Sequence, residues 1–102
     1  MASIVRRRVI VSGRVQGVNF RAHTRSAAQR LGVTGWVRNR SDGSVEALVE
    51  GAPEVVQSLL VWIKKGPPFS RVDSVKVTDE DPSGEFHDFQ ITFENWEFWR
   101  GR

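Results

Sequence analysis

A chain of 102 residues that is 39% hydrophobic and 26% charged has the profile of a single globular domain with room for one core. It excludes collagen, long disordered tails and spanning helices, because its longest apolar runs, Val9–Val11 and Leu59–Ile63, fall far short of about 20 residues; the absence of cysteine also removes disulfide scaffolds, iron–sulfur sites, thiol nucleophiles and Cys/His zinc. The net charge of +3 conceals an asymmetry: residues 1–41 hold nine arginines (6, 7, 8, 14, 21, 25, 30, 38 and 40) and no acid, and residues 42–102 hold all twelve acids against six basic residues.

Such an arginine field either attracts an anion or offsets the acidic half on solvated faces, and charge alone favours the second. In chain order, Arg6-Arg7-Arg8 is followed by an apolar stretch of only three residues, so no signal peptide and a cytoplasmic setting are expected. A strand is predicted from about Arg7 to Gly13, central because both faces carry β-branched residues. Arg14 to Asn19 reads as a glycine-containing loop. Phe20, Thr24, Ala27 and Leu31 then share one helix face, which Gly32 closes. Residues 34–50 read as a hairpin turning at Asp42-Gly43.

Pro53 and Glu54 suit the first turn of a second helix, with Val55, Leu59 and Trp62 on one face beside Val56 and Ile63, and Lys64-Lys65-Gly66 at its end. A fourth strand is predicted within about Ser70–Thr78, and a short fifth where Phe89, Ile91 and Phe93 alternate with polar residues. The order is β-α-β-β-α-β-(β). It predicts an α+β, ferredoxin-like α/β sandwich (βαββαβ): a mainly antiparallel four- to five-stranded sheet with two helices on one face and the other face partly solvated.

The loop Val15-Gln16-Gly17-Val18-Asn19-Phe20-Arg21 leaves a strand and enters a helix. Unsatisfied N–H groups and the positive dipole end make that point a candidate anion cradle. Arg21 opposes the dipole there, a local cost that a bound anion would relieve, and its guanidinium fork suits phosphate. The alternative is a surface arginine on an ordinary connection. The loop lacks the Gly-Lys-Ser/Thr of a Walker sequence, and nothing points to nucleotide or magnesium. A right-handed crossover makes the first two strands parallel, so Asn39, near the end of the second, lies at the same edge. Asn39 is able to hold a water against an anion, although spacing alone favours a turn-forming asparagine.

The run Gly13-Arg14-Val15-Gln16-Gly17-Val18-Asn19-Phe20-Arg21 resembles the signature of the acylphosphatase family. Gly35-Trp36-Val37-Arg38-Asn39, with Asp42-Gly43-Ser44-Val45-Glu46 behind it, resembles the second signature of that family. Phe20 to Thr24, Leu31-Gly32-Val33, Gly66 to Asp73 and Phe89-Gln90-Ile91 are similar to further family segments, so the resemblance runs in register from about Val9 to Phe93. It implies one domain over 1–102, with a core at about 7–93 and an aromatic extension at 94–102.

It also implies a monomeric hydrolase of the carboxyl–phosphate anhydride of small acyl phosphates, free of metal and cofactor. Inorganic phosphate is the implied product and inhibitor, with neither nucleic acid nor membrane as partner. By that resemblance the backbone of Gln16, Gly17, Val18, Asn19, Phe20 and Arg21, together with the Arg21 side chain, binds the phosphoryl group. Asn39 orients the attacking water, no covalent intermediate forms, and the phosphate of the substrate takes the proton.

Asn19 departs from the family pattern, which usually has an aromatic residue there. A polar side chain bears on loop packing or on access to the acyl side, and leaves the backbone donors in place. His23 is expected to make a structural hydrogen bond, His87 to be exposed, and Trp36 and Trp62 to be core. Trp96 or Phe98 of the tail is expected to cover the sheet, with a self-association surface as the alternative. The rival function is RNA binding on the sheet face, which needs aromatics on the central strands; Val9–Gly13 and Val45–Gly51 carry none. A regulatory small-molecule module is the third class.

Overall fold

The computed structural model describes residues 3–93. Its elements run β1 (Val5–Arg14), α1 (Phe20–Leu31), β2 (Thr34–Asn39), β3 (Val45–Gly51), α2 (Pro53–Lys65), β4 (Arg71–Glu80) and β5 (Phe89–Ile91). They form one sheet in the order β4-β1-β3-β2-β5, so β3 and β1 are interior strands as expected. β1 and β2 each pair antiparallel with β3, while β5 joins β2 in parallel. The ferredoxin-like sandwich stands, with five strands.

Strand alternation divides the sheet into two faces. Val9, Val11, Val37, Val45, Ala47, Val49 and Phe89 point into the core with Phe20, Ala27 and Ala28 of α1 and Val56, Leu59, Leu60 and Ile63 of α2. The helix faces differ by one position from the sequence reading. Ala28 is buried and Leu31 only half so; in α2 the buried set includes Leu60, while Val55 and Trp62 are half-buried. The physical reason is the sheet's width: each helix covers two neighbouring stripes, and flanking residues reach the rim. Strand ends also differ. β1 starts earlier and β4 runs to Glu80, because Arg6 and Arg7 pair with Glu80 and Asp79. Phe93 lies outside β5 and is exposed. The expectation for Trp96 and Phe98 falls outside the described residues.

The opposite face is a polar lattice rather than a merely wet surface. Glu46, 5% exposed as a residue, is bonded by both Arg8 and Arg38. Glu50 accepts from Arg6 Nε at 2.9 Å and from the backbone N–H groups of Ser83 and Gly84 at 3.0 and 2.8 Å. Trp36 is buried as expected, yet on this face: the Arg38 and Arg8 guanidinium carbons stand 4.6 and 5.8 Å from its ring centre. Each such stacking contributes about 0.5–2 kcal/mol.

Burial by itself pushes the Glu46 and Glu50 carboxyls up. For Glu46 the hydrogen bonds of Arg38 and Arg8 outweigh it; for Glu50 those of the Ser83 amide, Arg6 and the Gly84 amide do, and both groups sit below their ordinary values. The stability they contribute is therefore complete above about pH 4.3, the ordinary glutamate value, and is lost as pH falls through the lower folded values. Denaturant unfolding measured across this range should show that acid limb. Glu50→Gln should weaken it and leave the Glu46 part, and should lower neutral stability by about 1–3 kcal/mol, because an amide NH2 replaces one of the two oxygens that accept from Arg6, Ser83 and Gly84, while Arg6 keeps its pair with Glu85.

Candidate active site

β3 fixes the relation between the two strands that feed the site. Val45 is paired with Val11 of β1 on one side and with Asn39 of β2 on the other. Asn39 therefore lies on the core-side row, at the same end of the sheet as the residues that follow β1. The β1–β4 register shifts between Ser12 and Gly13. Gly13, at φ 129°, lies so close to β4 that a Cβ would stand 2.1 Å from the Arg71 carbonyl oxygen. After this bulge the pairing resumes in a shifted register, Gly13 with Val72 and Arg14 with Arg71, up to the start of the loop.

The loop itself is set by two left-handed residues. Gly17 has φ 77°. Asn19 has φ 61° and ψ 28°, and its side chain makes no capping hydrogen bond to α1. Asparagine tolerates this conformation far better than branched or bulky residues. The departure at Asn19 thus has a backbone reason. Its side chain is exposed at the cleft, and the Asn19 carbonyl accepts the His23 N–H at 3.0 Å to begin the helix. Val18 turns inward and packs against the core, while Phe20 is 2% exposed with its ring 6.2 Å from that of Trp62.

Gln16, Gly17, Asn19, Phe20, Arg21 and Asn39 line one small cleft of about 160 Å³, together with Val15, Ala22 and Ile91. Five of the six expected loop positions and Asn39 are thus brought together. Val18 is not among the residues lining the cleft, since its side chain packs on the core, and the expectation there concerns its backbone N–H alone. Nothing in the sequence marks Ile91 as a cleft residue: its inward place in the alternation of β5 is legible, but its parallel pairing with Val37 is not. Arg21 is half-buried and has no acidic partner among the described residues. The Oδ1 of Asn39 is buried without a hydrogen-bond partner, an arrangement that costs about 1–3 kcal/mol unless a donor arrives.

Charge around the cleft is more economical than the sequence suggests. Arg6, Arg7, Arg8, Arg38 and Arg40 are paired with Glu50, Asp79, Glu46 and Glu80, Glu46, and Asp42 respectively. The broad arginine field is thereby largely neutralised across the sheet. The Asp42 carboxyl accepts from the Ser44 hydroxyl at 2.6 Å and the Ser44 amide at 3.0 Å, and these bonds hold it below its ordinary value. His23 and His87 are both exposed; the hydrogen bond expected of the His23 ring is not found among the described residues.

The acylphosphatase family model matches residues 7–91. The acylphosphatase of Pelotomaculum thermopropionicum is 52% identical over 91 residues, covering 89% of this chain and 99% of that one. That of Gloeobacter violaceus is 55% identical over 87 residues, covering 85% and 94%. The crystal structure of the Bacillus subtilis acylphosphatase superposes with a TM-score of 0.83 at 42% identity, covering 86% of this chain and 98% of that one. By these matches the βαββαβ domain is a hydrolase of the acid-anhydride class. The chain belongs to the acylphosphatase family, whose reaction is hydrolysis of acyl phosphates.

The backbone reason for Asn19 has a direct check. Asn19→Gly should leave stability within about 0.5 kcal/mol, whereas Asn19→Val should cost about 1–2 kcal/mol, read from denaturant midpoints.

Proposed function

We propose that the cleft performs the reaction with fixed donors, one cation and one oriented water. The backbone N–H groups of Gln16–Arg21 and the Arg21 fork hold the phosphoryl group. Asn39 accepts a hydrogen bond from the attacking water and so aims its oxygen at phosphorus. The observation that carries this reading is the pairing, in one cleft, of an arginine without an acid partner and a buried amide oxygen without a donor. A phosphoryl group supplies the anion that the first lacks, and a water supplies the O–H that the second lacks.

So sparse a site is sufficient for this substrate class. The leaving carboxylate is stable without protonation, so no general acid is required. A loose phosphoryl transition state spreads charge over its equatorial oxygens, where fixed amide dipoles and a guanidinium stabilise it. Water attacks as the P–O bond to the acyl group breaks, and the proton of the water passes to a phosphate oxygen. The products are carboxylate and inorganic phosphate, with no covalent enzyme intermediate and no need for a metal or cofactor. The enzyme is read as a monomer, as the family resemblance implies. The setting is the cytoplasm expected from the sequence, and the partners are small acyl phosphates rather than nucleic acid or membrane.

Inorganic phosphate should inhibit competitively against benzoyl phosphate. Arg21→Ala should lower kcat/KM by at least about a thousandfold with losses in both affinity and turnover. Asn39→Ala should lower kcat by about a hundredfold to a thousandfold with KM little changed, because water orientation matters in the transition state. Raised KM with intact kcat in Asn39→Ala would sink the water-orienting role.

Electrostatic capture rests on the arginines without acid partners among the described residues, Arg14, Arg21, Arg25 and Arg30. Rising salt should therefore lower kcat/KM only modestly, since steering decays over about 10 Å at 0.1 M. Arg7→Gln should change capture little, because Asp79 already neutralises Arg7. A steep salt slope for single-stranded RNA binding, with no acyl-phosphate hydrolysis, is the opposite result and belongs to the rival function.

A further inference from the structure

The Gln16 side chain crosses the cleft wall rather than facing solvent. Its Nε2 donates to the carbonyl oxygens of Arg40 at 2.8 Å and Ser44 at 2.9 Å, 24 and 28 residues away. Both donor hydrogens of the carboxamide are thereby used. The two acceptors belong to the β2–β3 turn, and Arg40 directly follows Asn39. The turn does not depend on these bonds for its own satisfaction. Arg40 O also accepts the Gly43 N–H at 3.2 Å, and Ser44 O accepts the Arg40 N–H at 2.9 Å. What the side chain adds is a connection between the backbone of the loop and the strand end that carries Asn39.

We propose that Gln16 is a positioning residue for hydrolysis: its carboxamide sets the distance between the loop that holds the phosphoryl group and the Asn39 oxygen that holds the water. The inference rests on the reading of the cleft given above and extends it from the groups that touch substrate to the group that aligns them. The α1 side of the cleft contributes Arg21 and the loop amides, and the β2 side contributes Asn39. The described hydrogen bonds between these two sides at the cleft run through the Gln16 amide. Without it each half keeps its own shape. The phosphoryl group still binds, because the loop and Arg21 are intact, but the water is held out of line. Misplacement on the scale of 1 Å costs about a hundredfold in rate.

The test is Gln16→Leu, which keeps much of the bulk and removes both donors. Its kcat for benzoyl phosphate should fall about tenfold to a hundredfold, while KM and the competitive inhibition constant of inorganic phosphate stay within about threefold. Combined with Asn39→Ala, it should cost almost nothing further, because there is no longer an amide to align. Gln16→Glu is the second variant. It presents oxygens to two carbonyls and should lose turnover equally at neutral pH, then regain part of it as acid protonates the carboxyl and restores one donor. Thermal midpoints confirm folding; if Gln16→Leu does not fold, the same cycle is run with Gln16→Glu. Full kcat in these variants, a rise in KM and the phosphate inhibition constant without loss of kcat, or losses that multiply with Asn39→Ala overturn the positioning role alone. Unchanged activity in Arg21→Ala and Asn39→Ala overturns the reading of the cleft beneath it.

Discussion

The cleft depends on the insertion of β3 between β1 and β2. Both of those strands run antiparallel to β3, so they are parallel to each other and finish at the same end of the sheet. Val45 sits in both ladders, opposite Val11 and opposite Asn39. A one-residue slip of β2 against β3 would turn Asn39 to the other face, away from the α1 N-terminus. The register is protected by burial on both faces of β3. Val45, Ala47 and Val49 pack under the helices, and Glu46, Leu48 and Glu50 are buried on the other side.

That second face accounts for much of the positive charge of so basic an N-terminal half. Arginines on β1 and β2 meet glutamates on β3 and β4, and Trp36 lies beneath two of the guanidinium groups. Buried carboxylates need this many donors, since a partly satisfied one would be costlier than an apolar residue. The arginines are thus distinguished by what faces them. Arg8 and Arg38 are held by carboxylates, whereas Arg21, at the positive end of a helix, faces a cleft without an acid.

The loop shows a comparable division of labour among adjacent residues. Gly17 and Asn19 supply left-handed backbone. Val18 and Phe20 anchor the loop in the core, and Gln16 ties it to the hairpin. Arg21 is left to face the cleft. Apolar anchors on either side of the exposed Asn19 hold a conformation that would otherwise be strained.

The amino-acid sequence by itself determined the element order, the two amphipathic helices, the hairpin and the loop with Arg21, since these follow from local periodicity, turn residues and caps such as Gly32. It also carried both family signatures, and so the acylphosphatase assignment. It did not reveal which arginines are neutralised, because ion pairs such as Arg6 with Glu50 join residues 44 apart in the chain. Nor did it show that Trp36 is buried away from the helices, that Ile91 reaches the cleft, or that Gln16 spends its side chain on Arg40 and Ser44. Asn39 was legible only as a turn residue or a family match. Its buried, unpartnered oxygen exists only once β3 has brought β2 alongside β1, because solvent exposure and hydrogen-bond partners are properties of packed surfaces and not of sequence spacing.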